Sequence, residues 1–120
     1  ARPEVPMIGF GCDGSLLMRL GELEVFARTG AAAPLVIAND HALGTIKSRQ
    51  RGRGMAEYKL DLHPVDLAAV ARACGLLWVT VQTPEELEKA LAAALFGEGD
   101  DLLDLVHVQD VCNAVVKDAG

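Results

Sequence analysis

The chain has 120 residues, is 51% hydrophobic and 23% charged, and carries a formal net charge of −6. It is the size of one domain, too apolar for a disordered segment and too acidic overall for a general nucleic-acid binder. Its three cysteines, Cys12, Cys74 and Cys112, are widely spaced with no CxxC pair. This excludes a disulfide framework or zinc ribbon and points to a reducing, cytoplasmic setting. No uncharged apolar run approaches the ~20 residues that span a membrane, and no signal peptide is visible. Aromatic residues make up only 4%, so Ala, Val, Leu and Ile must build the core, as in a buried parallel sheet.

In chain order, residues 6–10 form an apolar run that enters glycines, read as a strand meeting a turn. From Ser15 to Thr29, Leu16, Leu20, Leu23 and Ala27 share one helical face, and Gly30 ends that helix. Residues 34–38 read as a second buried strand, ending at Asn39-Asp40. Residues 41–62 are polar and rich in Gly and Arg, and read as an irregular loop. Pro64 then opens a helix that runs to Gly75, and residues 76–81 form a third strand. Thr83-Pro84-Glu85-Glu86 is a capping box for a helix carried by Leu87, Leu91 and Leu95 to Gly97. Residues 103–108 read as a fourth strand. The order β-α-β-loop-α-β-α-β implies an α/β domain, a three-layer, mostly parallel sheet with flanking helices.

Ligands of open α/β sheets bind at the carboxyl ends of strands. Two such ends carry chemistry here: Gly9-Phe10-Gly11-Cys12-Asp13-Gly14-Ser15, and Asn39-Asp40-His41-Ala42-Leu43-Gly44. The first matches the G-x-G-x-x-G of dinucleotide-binding modules, and Asp40 would be the ribose acid. Asp13, however, would face the pyrophosphate, and Asp40 lies beyond the usual ~20-residue distance. A divalent cation removes the first difficulty. Mg²⁺ takes oxygen ligands, usually one or two carboxylates plus phosphate oxygens. Asp13 and Asp40, at the ends of adjacent strands, suit a Mg²⁺–diphosphate group.

Asp13-Gly14-Ser15, then a helix, a strand and Asn39-Asp40, resembles the thiamine-diphosphate motif, in which Gly-Asp-Gly is followed by Asn-Asn. Residues 15–23 resemble the helix after that motif in acetolactate synthases and related decarboxylases and oxidases. Ala42-Leu43-Gly44-Thr45-Ile46, Asp66-Leu67-Ala68 and Ala73-Cys74-Gly75 fit as well, so the likeness runs from about residue 6 to 109. It implies thiamine diphosphate and Mg²⁺ as cofactors. Asp13, Asp40 and the backbone carbonyl of Ala42 would be the metal ligands. Gly14 and Ser15 would hold the diphosphate, Asn39 would shape the turn, and Leu43 and Gly44 would lie beside the cofactor. The implied chemistry is decarboxylation of a small 2-oxoacid and transfer of the remainder to an acceptor. The implied partner is a pyrimidine-binding domain or subunit of the same enzyme, in a homo-oligomer, and that partner holds the glutamate that activates the cofactor. The chain, residues 1–120, would then be one pyrophosphate-binding domain, partial because the family domain begins further upstream. Cys12 replaces the first Gly of the motif and Asp40 its second Asn. These departures keep open a non-catalytic remnant of the fold beside the dinucleotide reading.

The other chemical residues have plainer readings. His41 stands in the site loop, within reach of substrate, whereas His63 flanks a helix and His107 is structural. Cys12 reads as a small buried thiol. Lys47, Arg49, Arg51 and Arg53 read as a solvated basic loop.

Overall fold

A computed structural model describes residue 5 and residues 7–30, 33–96 and 105–109, the last five by their backbone. Its elements are β1 (Gly9–Cys12), α1 (Asp13–Leu17), α2 (Glu22–Thr29), β2 (Leu35–Asn39), α3 (Gly44–Gly52), α4 (Leu67–Ala73), β3 (Trp78–Val81), α5 (Pro84–Phe96) and β4 (Leu105–Gln109). The four strands form one sheet in the order β1-β2-β4-β3, and every neighbouring pair is parallel.

Both faces of the sheet are covered, which explains why its central strand reads as a continuous apolar run rather than an alternating one. Successive side chains of β2 point to opposite faces. Ile37 packs with Leu16, Leu23, Leu67, Ala71 and Leu76, so α1, α2 and α4 cover one face. Val36 packs with Val81 and Ala90, so α5 covers the other. The three-layer α/β expectation holds.

Several boundaries move. β1 begins at Gly9 and runs on to Cys12, so the carboxyl end of the strand lies directly at Asp13. The single helix expected over 15–29 is two, α1 and α2, separated by a turn at residues 18–21. The apolar period continues through the break because Leu16 and Leu23 still enter one core, so periodicity alone does not reveal it. The expected loop at 41–62 contains α3. That helix buries none of its residues, so it has no apolar stripe to signal it. α4 starts at Leu67 rather than at Pro64, because Asp66 is its cap: the Asp66 carboxylate accepts from the Ala69 N–H at 2.9 Å. Gly75, at φ 79°, ends α4 in a left-handed turn that returns the buried Leu76 to the core. The capping box of α5 forms as expected: Glu86 N–H donates to Thr83 Oγ1 at 3.2 Å, and Glu86 Oε2 accepts from Thr83 N–H at 3.3 Å. Gly97, residues 103–104, Cys112 and the side chain of His107 lie outside the described residues.

Among the described residues, no helix is long and apolar enough to cross a membrane.

Candidate functional site

β1 and β2 pair in parallel with Cys12 opposite Ala38, so Asp13, just past β1, lies beside Asn39, the last residue of β2. The two segments singled out in the sequence therefore meet at one end of the sheet. Between them lies a cavity of about 360 Å³. Gly14 and Ser15 line it from the first turn, and Asn39, Asp40, Ala42, Leu43 and Gly44 from the second. All seven were expected at the site.

Asp13, the eighth, lies behind this cavity. It is 2% exposed and lines a small adjoining cleft with Asn39, His41 and His63. Its Oδ1 accepts from the Gly14 N–H at 2.7 Å. Its Oδ2 is buried and has no hydrogen-bond partner. A buried carboxylate oxygen without a partner is costly and marks a place where a donor or cation is missing. The Gly14 N–H is thus already engaged, and Gly14 contributes space instead: a Cβ there would stand 3.0 Å from a Leu43 methyl. α1 has only five residues, so it adds little helix dipole to the site. Ser15 is exposed, with its hydroxyl 3.1 Å from Cys12 Sγ. Cys12 itself is exposed, not buried as expected.

The second turn is shaped by its own side chains. Asn39 Oδ1 accepts from the His41 N–H, and Asp40 Oδ1 from the Ala42 N–H, each at 3.1 Å. These two bonds hold His41 at a φ of 53°, a left-handed conformation that needs such local support. His41 faces the cleft of Asp13 rather than the larger cavity. The turn is also tied to the segment before α4 by an isolated antiparallel bridge, Ala42 to Asp61. Its two bonds run from Leu43 N–H to the Leu60 carbonyl and from Leu62 N–H to the His41 carbonyl, each at 2.8 Å. Ala42 is the non-hydrogen-bonded member of that pattern, so its own carbonyl stays out of the ladder. Gly44 leaves room for the Asp40 carboxylate, since a Cβ there would collide with Asp40 Oδ2 and displace it.

Met18, Thr45 and Ile46 also line the cavity and had not been assigned to it from the sequence. Thr45 and Ile46 belong to the unforeseen α3, and Met18 to the unforeseen break after α1.

The family model described as thiamine pyrophosphate enzyme, C-terminal TPP binding domain, matches residues 1–107. The chain belongs to this family. The acetolactate synthase large subunit of Haemophilus influenzae is 32% identical over 98 residues, which cover 78% of this chain and 17% of the relative. The phosphonopyruvate decarboxylase of Streptomyces viridochromogenes is 38% identical over 104 residues, covering 83% and 23%. The thiamine diphosphate-dependent 4-hydroxybenzoylformate decarboxylase of Rhodococcus jostii superposes with a TM-score of 0.75 at 21% identity, over 90% of this chain and 20% of that one. The chain thus spans about a fifth of the length of such relatives. It has the thiamine-diphosphate-binding domain that these much longer relatives share, and membership displaces the dinucleotide reading of the glycine loop.

The residues present suit the cofactor's metal–diphosphate end. No group of three His, Cys, Asp or Glu side chains able to hold a metal occurs among the described residues. The donors on offer are instead two carboxylates and one backbone carbonyl, an all-oxygen set typical of Mg²⁺, which draws its remaining ligands from phosphate and water.

Proposed function

We propose that this domain holds the Mg²⁺–diphosphate end of thiamine diphosphate in an enzyme of the acetolactate synthase or 2-oxoacid decarboxylase type. Asp13, Asp40 and the Ala42 carbonyl ligate the metal. Gly14 and Ser15 accommodate the diphosphate. Asn39 fixes the turn, and Leu43 and Gly44 form the wall beside the cofactor. The observation that carries this reading is the buried, unpartnered Oδ2 of Asp13, just past the end of β1 and beside the strand that Asp40 follows.

Bound thiamine diphosphate supplies the carbon nucleophile and electron sink for 2-oxoacid chemistry. The chain's own residues bind and orient. Asp13 contributes a carboxylate already removed from water, and the second turn contributes a carboxylate and a carbonyl on a pre-shaped backbone. Pre-organisation of this kind reduces the ordering that binding must impose. The residue that activates the aminopyrimidine belongs to a pyrimidine-binding domain or subunit of the same enzyme, so catalysis requires that partner. The substrate is a small 2-oxoacid, and the working assembly is a homo-oligomer.

Calorimetric titration with thiamine diphosphate, with and without Mg²⁺ and with NAD as control, tests this. Saturable binding that needs Mg²⁺ and is lost in Asp13→Ala is expected. Metal-independent binding, or binding of NAD, overturns the proposal. No binding by the assembled enzyme favours the non-catalytic remnant, to which Cys12 and Asp40 give some colour.

A further inference from the structure

Among the described residues, two that are not glycine stand in the left-handed region: His41 at a φ of 53° and Lys59 at 50°. Both flank one contact. His41 directly precedes Ala42, and Lys59 comes shortly before Asp61, the two members of the isolated bridge. A residue with a Cβ enters this region at a cost, and residues held there gather at functional sites.

The ring and the backbone of His41 do different things. The ring lines the cleft of Asp13 and not the cofactor cavity, and its Nε2 stands 3.5 Å from Asn39 Nδ2. The backbone is committed on both sides. Its N–H donates to Asn39 Oδ1 at 3.1 Å, and its carbonyl accepts from the Leu62 N–H at 2.8 Å. The left-handed turn between these two bonds decides how the next residue is presented. In a non-hydrogen-bonded bridge pair, both polar groups of a residue point away from the opposing segment. For Ala42 that side is marked by its N–H, which donates to Asp40 Oδ1 at 3.1 Å. Its carbonyl opens to the same side and receives no hydrogen bond among the described residues. The carbonyl and the Asp40 carboxylate therefore share one edge of the turn.

We propose that His41 is a positioning residue that acts through its main chain. Its left-handed conformation presents the Ala42 carbonyl beside the Asp40 carboxylate for a divalent cation, and its imidazole takes no part. That a cation is what the two oxygens receive rests on the proposed function. Position 41 then demands a residue that accepts a positive φ. Glycine does so freely and asparagine readily, whereas valine, branched at Cβ, does so least.

The test uses the complete enzyme that carries this domain. Mn²⁺ replaces Mg²⁺, and free Mn²⁺ is read by electron paramagnetic resonance at saturating thiamine diphosphate. His41→Gly and His41→Asn are expected to bind Mn²⁺ within about twofold of the wild type. His41→Val is expected to bind it roughly tenfold more weakly, the penalty that an L-residue meets in the left-handed region. His41→Ala, with a Cβ and no branch, is expected to fall between them, and it supplies the comparison if the valine variant does not fold. Lys59→Val strains the same bridge from the side that bears no ligand. It is expected to lower the melting temperature and to cost several-fold less affinity than His41→Val. A loss in His41→Gly as large as that in His41→Val would show that the imidazole is needed, and overturns the proposal. Equal affinities across the series, or equal losses in the two valine variants, overturn it too. A wild-type enzyme that binds no Mn²⁺ with thiamine diphosphate overturns the proposed function as well, an outcome distinct from any ranking of the variants.

Discussion

The two turns that face each other across the cavity present an aspartate each, in opposite surroundings. Asp13 follows β1 directly, enters a helix at once and is buried over the core that Leu16 and Leu67 share. Asp40 follows β2, remains exposed and spends one oxygen on the Ala42 N–H of its own turn. The first turn is rigid because it is packed. The second is rigid because it is laced by hydrogen bonds and tied to Asp61. A carboxylate taken from water without full compensation is destabilising until a cation reaches it, whereas a solvated one is nearly indifferent. The difference assigns the larger share of metal affinity to Asp13, and to Asp40 and its loop the task of shape.

Removing Asp13 is the most forceful way to break that comparison. Asp13→Ala is expected to weaken Mg²⁺–thiamine diphosphate binding by more than ~100-fold, beyond the 10–100-fold typical of partners one step removed from a metal. Without metal, the same change should leave the melting temperature unchanged or raise it, because the unbonded Oδ2 disappears. Calorimetry and thermal melts read the two effects separately. A clear loss of stability in the metal-free protein would show that Asp13 is a structural acceptor instead.

The glycines sharpen the contrast. Gly44→Ala places a Cβ against Asp40 Oδ2, and the carboxylate must swing away from the Ala42 N–H. The lost hydrogen bond costs about 1 kcal/mol, and cofactor affinity should drop roughly tenfold. Gly14→Ala meets the ends of the Leu43 and Leu62 side chains, and alanine within a helix is favoured over glycine by ~0.5–1 kcal/mol. Its stability should therefore be near neutral, although it lies in the more buried turn. Denaturant unfolding of both variants checks the ranking, and equal losses would contradict it. Asp40→Asn should do less than either. The asparagine oxygen can still accept from Ala42, so stability should move by less than ~0.5 kcal/mol. Metal affinity should fall only a few-fold as one ligand charge is lost.

How far the sequence discloses this arrangement follows from what each part buries. The sheet and its covering helices are legible because Ile37, Val36, Leu23 and Ala90 leave an apolar pattern. The two site turns are legible because carboxylates and glycines gather at the ends of apolar runs. α3 is not legible, since a helix that buries nothing leaves no periodicity; Gly54, closing its end, is the one local signal available. The opposed burial of Asp13 and Asp40 is invisible for a different reason. It depends on where β1 stops, and the strand runs past its apolar stretch through Gly11 and Cys12. That Lys47 and Arg51 pair with carboxylates, while Arg49 and Arg53 pair with none among the described residues, depends on how residues 57–61 fold back along α3.

That fold-back also carries the smallest of the expected effects, and it concerns the second turn alone. Asp61, which bridges to Ala42, receives a hydrogen bond from Lys47. This bond raises the Lys47 pKa above its ordinary 10.5; partial burial opposes the rise, and attraction to Asp61 and then Glu57 adds to it. A lysine whose pKa is raised by folding adds stability that is fully present below its unfolded value and is lost as pH climbs through the folded value. Lys47→Met should therefore melt slightly below the wild type at neutral pH, and the gap should close as pH rises beyond 10.5. Solvent and salt screen this pair, so the gap should also shrink in concentrated salt. Since the pair braces only the loop of Asp40 and Ala42, the alkaline loss should loosen cofactor binding in the wild type and not in Lys47→Met. A pH response equal in the two proteins would detach the bridge from the site and leave the second turn held by its Asn39 and Asp40 side chains alone.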